Sequence, residues 1–323
     1  MTELTQEWHR CQIDKKILKS LSRRNDKTPL LWFGSYILLQ ILLGIGVAWY
    51  WGTWTAVWFY VAYCFVWGFC ASAVHETCHG TPFKTRWMNE AALWLFGWMG
   101  QFEPVFVRWG HAGHHSYTHF DEGDTELSEP NPVSWSNFFK VGLGVWGALF
   151  YWQSLIAQAF GKFSDDMRAV VPDSEVPKAI RNARIMLLVY GLFVVLAVAM
   201  QSWLLIFLFI LPRIFGGPVV GIMHLTQHTG LQMNIRDHRY STRSFYAGPL
   251  TRFFYFNMNY HVEHHMFPMV PFYNLPALHE EIKDQLAPPC NGMLGVYKEV
   301  LAAVKRQQTE PGYHIRKAVP QPV

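Results

Sequence analysis

Long uncharged apolar runs alternate along this chain with polar intervals in which histidines recur three or four residues apart. Leu30 to Trp51 is the first run, 22 residues without a charge. At 1.5 Å per residue such a helix crosses a hydrocarbon core of about 30 Å. Gly52-Thr53 breaks it, and Trp54 to Val74 is again uncharged, so residues 30–51 and 54–74 predict a transmembrane hairpin. Trp49, Trp51 and Trp54 around the turn suit an aromatic belt at a membrane interface. Residues 185–200 and 203–222 predict a second hairpin that turns at Gln201-Ser202. Its return helix carries Pro212 and Arg213, which predicts a kink and requires Arg213 to face protein, water or a headgroup.

Two further apolar stretches need a decision. Ala91 to Phe102 is too short to cross and reads as an interfacial or re-entrant segment. Residues 141–160 are uncharged and long enough to cross. If only one of the two crossed, His228 would emerge on the wrong side from the first histidines. If both crossed, the middle histidines would be stranded. A single shared site therefore requires that neither crosses, and 141–160 is expected to lie along the membrane. The result is an all-α integral membrane fold, with four spans in two hairpins under a cytoplasmic helical cap.

The rest of the chain fits around that frame. Residues 1–29 carry Arg10, Lys15, Lys16, Lys19, Arg23, Arg24 and Lys27, which puts the N-terminus, both termini with it, and the histidines in the cytoplasm. The same polarity leaves no cleavable signal peptide in this stretch. Residues 161–184, with Pro172 and Pro177, read as a charged linker, and Leu275 to Leu286 as an amphipathic surface helix. Residues 30–286 form the membrane domain, and 287–323 are expected to be a Pro-rich, poorly ordered tail. Only 15% of residues are charged, against about 25% in an average soluble domain. The net charge of +4 shows no nucleic-acid stripe, and the five cysteines form no CxxC pair, as expected for free thiols in a reducing compartment.

The candidate chemistry is carried by histidine. His75 and His79 make one cluster, His111, His114 and His115 a second, and His261, His264 and His265 a third. His228 stands between the last two, with His224 one helical turn before it. Neutral imidazole suits Fe, Zn, Cu and Ni alike, so ligand type does not name the metal. Ligand number says more: the three clusters and His228, nine histidines without His224, exceed one ion and fit two, with four or five each. A competing reading comes from HETCH, residues 75–79, which matches the H-E-x-x-H of zinc metalloproteases. That reading leaves the other two clusters without a role, and Glu76 is better explained as orienting a ligand. His9, His238, His279 and His314 read as surface or satisfied polar residues, and His119 is marked only by its spacing from His115.

HETCH, HAGHH and HVEHH, in this order on one membrane face, resemble the histidine boxes of the membrane fatty-acid desaturase and hydroxylase superfamily. TQHTG around His228 resembles its additional histidine, and NYHVEHHMFPMVPFYNLPALHEEI its third box with the helix that follows. The resemblance covers roughly residues 30–286. It implies that His75, His79, His111, His114, His115, His228, His261, His264 and His265 hold two Fe ions that use O2 as co-substrate. His224 falls where some members place a water-linked polar residue. Asp121 and Asp124 fall in the acidic stretch that supplies supporting carboxylates, and Glu76, Asn259 and Glu263 are the polar neighbours within the boxes. The implied activity is a fatty acyl desaturase, with a hydroxylase or oxidative demethylase of a smaller substrate as the alternative and a zinc metalloprotease as a remote one. The implied location is a bacterial inner membrane. No cytochrome b5, ferredoxin or dinucleotide motif is found, so electrons are expected from an external ferredoxin or rubredoxin. Arg236, Arg239, Arg243 and Arg252 are its candidate docking face, or else face lipid headgroups.

Overall fold

The computed structural model describes residues 7–320; residues 1–6 of the basic N-terminal segment and 321–323 of the tail lie outside it. Asp14 caps α1 (Lys15–Leu21) through the Lys16 and Ile17 amides, and α2 (Lys27–Trp49) then runs uninterrupted. The turn at Gly52, φ +84°, reverses the chain into α3 (Trp54–Gly68). Phe69 alone separates α3 from α4 (Cys70–Cys78), so the two form one apolar stretch from Trp54 to Cys78 that carries His75 near its end. After a short loop come α5 (Arg86–Gly100) and α6 (Pro104–Ser116). Glu103 caps α6, its carboxylate accepting from the Val105 and Phe106 amides while Pro104 fills the first helical position.

Among the described residues, three helical stretches are long and apolar enough to cross a membrane: Lys27–Trp49, Trp54–Cys78 and Val176–Ala199. Only 22% of the first window and 28% of the third are buried within the protein, so most of this apolar surface faces outward, as lipid-facing helices must. Trp49 and Trp54 stand exposed at the first hairpin turn and Trp203 at the second. The protein is therefore helical and membrane-embedded.

Four expectations need correction or refinement. The predicted fourth span is not one helix but three pieces, α11 (Leu204–Phe209), α12 (Pro212–Phe215) and α13 (Gly217–Leu225). Pro212 breaks the first junction, and the second lies at Gly216, packed so closely on the Cys64 carbonyl that no Cβ would fit. Residues 141–160 are likewise split, into α7 (Trp135–Leu143) and α8 (Val145–Ala159), by Gly144 at φ +65°. A Cβ there would fall 2.0 Å from the Gly217 carbonyl oxygen, so Gly144 lets α13 pass against the α7–α8 corner. Part of the expected linker is helical: α9 (Asp165–Val170) precedes α10, which starts at Val176 and runs to Ala199, its charged first turns preceding the apolar run.

The fourth correction concerns the tail. Residues beyond 286 include β2 (Cys290–Asn291), which pairs in parallel with β1 (Phe245–Tyr246), and then α18 (Gly292–Gln307). Val296, Val300 and Val304 lie four residues apart and are fully buried in the main core. The prolines of this region flank the helix and do not enter it. Between α13 and β1 the chain forms α14 (His238–Ser241), followed after β1 by α15 (Pro249–Phe254), α16 (His261–Met266) and α17 (Leu275–Ile282). This C-terminal half caps the ends of α4 and α6, where the histidines are.

Candidate metal centre

Each histidine is placed by a helix end. His75 lies on α4 and His79 is its C-terminal cap; His111, His114 and His115 share a face of α6; His228 follows α13; His261, His264 and His265 occupy α16. They gather into two adjoining sets. In the first, His75, His79, His111, His115 and His264 each bring a ring nitrogen within 4.8 Å of the others; in the second, His114, His228, His261 and His265 do the same. The rings of His115 and His265 stack at 4.2 Å across the boundary. Every one of the nine sequence-predicted ligands is thus included, split five and four.

The outward nitrogens explain why the inward ones face each other. His111 Nδ1 donates to Glu126 at 3.0 Å and His114 Nδ1 to Asp124 at 2.8 Å. His228 Nδ1 donates to the Ser241 carbonyl at 2.8 Å, and His261 Nδ1 meets the Met258 sulfur at 3.0 Å. Thr118 gives its own hydrogen to the His114 carbonyl and so accepts from His265 Nδ1 at 3.1 Å. With the proton held on Nδ1, each Nε2 presents a lone pair. Yet Nε2 of His111 is 3.0 Å from that of His79 and 3.1 Å from that of His115. In the second set His261 Nε2 lies 3.2 Å from His228 Nε2 and 3.1 Å from His265 Nε2. Converging lone pairs repel unless a cation stands between them.

The number of donors also bears on which cation. Five converging imidazoles in the first set exceed the four donors of a tetrahedral zinc site. Burial, reinforced by neighbouring imidazoles, pushes His115, His261, His264 and His265 well below the ordinary imidazole range, which keeps them neutral donors. Burial acts against Glu126 as well, but His111 outweighs it and brings the carboxyl down to about 2. His114 is raised, since Asp124 outweighs the opposing effect of burial.

The other predicted site residues divide. Asp124 is a supporting carboxylate: besides His114 it accepts from the His119 and Glu126 amides. Asp121 is not; it is exposed and bonds Asn234. Glu76 is fully buried, with an oxygen 3.6 Å from His75 Nδ1 and 3.8 Å from His264 Nδ1. HETCH therefore forms no separate zinc site, because its histidines join those of α6 and α16. Glu263 turns away from both sets and ties α16 to its surroundings, accepting from Ser244 and pairing with His279. Asn259 donates to the Phe245 carbonyl and likewise braces the backbone. His224 joins neither set and pairs with Glu129 at 3.2 Å. His119 is held by the Gln232 carbonyl outside both.

Glu126 and Glu129 are the residues that sequence reasoning missed. The signal was the acidic run from Asp121 to Glu129, but which carboxylates turn inward depends on the loop's path. Two of the four arginines proposed as a docking face, Arg239 and Arg243, are turned inward. Arg243 is 1% exposed and donates to the Thr226 and Thr229 carbonyls and to Glu299, and Arg239 is clamped by Asp237. Both guanidiniums are spent on internal carbonyls and carboxylates that need them.

One cavity of about 500 Å³ opens onto the first set. His75, His111, Glu126, His224 and Arg213 are among its polar lining residues, while Phe69, Val107, Trp146, Phe150, Val219 and Val220 line apolar walls. The architecture is that of a membrane-embedded helical protein with two histidine clusters able to hold metal beside an apolar cavity. The fatty acid desaturase family model matches residues 52–294, about three quarters of the chain, and the chain belongs to that family. It is thus an oxidoreductase of the desaturase and hydroxylase type, associated with membrane and lipid. Comparison with curated proteins gives no match.

Proposed function

We propose that the two histidine sets hold two iron ions and that the protein is an O2-dependent desaturase of an acyl chain. The observation that carries this reading is the convergence of Nε2 lone pairs at 3.0–3.2 Å in two neighbouring groups. His75, His79, His111, His115 and His264 would hold one ion, and His114, His228, His261 and His265 the other. Bound iron would supply the reduction of O2 and the oxidising power to remove hydrogen from an unactivated C–H bond.

The protein's own part is positioning and exclusion. Glu126 and Asp124 lock the ring orientations of His111 and His114, so the donor geometry is preset. The apolar walls of the cavity hold a hydrocarbon segment against His75 and His111 and keep water from it. Whether loss of a second hydrogen or gain of oxygen follows depends on how the chain sits, so a hydroxylase uses the same residues. The four-span topology, with termini and histidines on the cytoplasmic side of a bacterial inner membrane, belongs to this reading, as does an external ferredoxin or rubredoxin donor. Mass spectrometry of lipids and small acids from cells with and without the protein tests it. Loss of two hydrogens supports the desaturase, and gain of one oxygen replaces it with the hydroxylase. An unchanged profile together with a His111→Ala variant that retains all bound metal would refute both.

A further inference from the structure

Arg213 has no part in the chemistry above, and its surroundings call for one. It sits on α12 in the broken segment and is 2% exposed. Its Nε donates to the Gly100 carbonyl at 3.2 Å, at the C-terminal end of α5, and its guanidinium carbon is 5.6 Å from the centre of the Phe102 ring. Nη1 is buried without a partner. Among the described residues, arginine ion pairs are made by Arg108, Arg239, Arg243 and Arg306, and not by Arg213. The ionisable groups around it are Cys70, Tyr151 and Tyr190, none of them an acid at neutral pH.

A buried cation without a counter-charge is costly, and a helix C-terminus and an aromatic face offset only part of that cost. Arg213 is among the residues that line the cavity, together with His75 and His111. The cavity therefore brings together histidines, apolar walls and an arginine that has no counter-charge. The methyl end of a long acyl thioester would desolvate Arg213 further and give it nothing in return. A carboxylate would meet the planar fork and supply the missing charge.

We propose that this cavity takes a free carboxylic acid, its carboxylate on Arg213 and its carbon chain running toward His75 and His111. This rests on the oxidative reading of the site and narrows its substrate class. The acid end is the fixed point, so the carbon presented to the histidines is counted from the carboxylate.

Binding can be tested apart from turnover. Equilibrium dialysis of the full-length protein in nanodiscs, against protein-free nanodiscs, compares radiolabelled octanoate with methyl octanoate. The wild type is expected to bind octanoate saturably and about 30-fold more tightly than the ester, the scale of one charge-assisted pair. Arg213→Met keeps the bulk and removes the charge, and should abolish that preference while leaving ester binding unchanged. Equal binding of acid and ester by the wild type, or an undiminished preference in Arg213→Met, would overturn the proposal. If Arg213→Met does not fold, the wild-type comparison decides by itself, and Arg213→Lys should show a reduced acid preference. The assay runs on metal-free protein as well, so a failure here is separate from a failure to bind iron.

Discussion

Replacing Asp124 with Asn should weaken the hold on one metal ion and spare the other. Asp124 Oδ1 accepts from His114 Nδ1 at 2.8 Å and from the Glu126 amide at 2.9 Å, while Oδ2 accepts from the His119 amide at 2.7 Å. Asn offers one oxygen in place of two. If that oxygen faces His114, the amide NH2 points at the His119 N–H and leaves a buried donor unsatisfied, at about 1–3 kcal/mol. If it faces His119, the NH2 meets His114 Nδ1 and drives the proton to Nε2, which removes the lone pair meant for the metal. Either way affinity in the four-histidine set should fall about 10–100-fold, or roughly 1.4–2.7 kcal/mol. Glu126→Gln acts on His111 and should weaken the five-histidine set instead. Asp121→Asn, which touches only the Asn234 side, should change neither. Anaerobic titration of iron-loaded protein with a chelator would show two release steps, the first of them earlier in Asp124→Asn. Both ions leaving as in the wild type, or Asp121→Asn behaving like Asp124→Asn, would refute the argument.

Further expectations concern charge and packing. Burial acts to lower the His224 imidazole, but Glu129 outweighs it and raises it to about 9. A raised imidazole contributes its full stability below its unfolded value of 6.5 and loses it as pH rises through 9, while the lowered Glu129 contributes only above its own unfolded value of 4.5. Glu129→Gln should therefore lower the melting temperature of the metal-free protein at about pH 6 and do so much less at about pH 10. An equal loss at both pH values would contradict the pairing. Arg243→Met strands the buried Thr226 and Thr229 carbonyls, while Glu299 keeps Lys317, and should cost about 1–3 kcal/mol per stranded carbonyl in thermal melting; a change near zero would count against its buried role. Val300→Asp puts a charge at a fully buried position of α18 and should cost roughly 2–7 kcal/mol, whereas a disordered tail would tolerate it.

The histidines were legible in the sequence because their spacing encodes a helix face, and the fold keeps that face intact on α6 and α16. The long spans were legible for a similar reason, since length and hydropathy alone qualify them. The return segment after Gln201 was not, because its breaks at Pro212 and Gly216 serve close backbone contact that only the neighbouring helices define. Glu126 and Glu129 were hidden for want of any periodicity: they lie on an irregular loop, where charge marks a region but not a direction. α18 was hidden behind composition, since the prolines that flank it lowered expectation for a stretch whose valines recur every four residues. Arg213 was noticed in the sequence, yet only the structure shows that its neighbours leave donors unfilled.

The most direct test of the central claim is the metal content of the purified full-length protein after anaerobic iron loading, measured for iron and zinc together. Two adjoining histidine sets predict about two iron ions per chain, falling in the His111→Ala variant. A single tightly held zinc per chain that iron does not displace would contradict it.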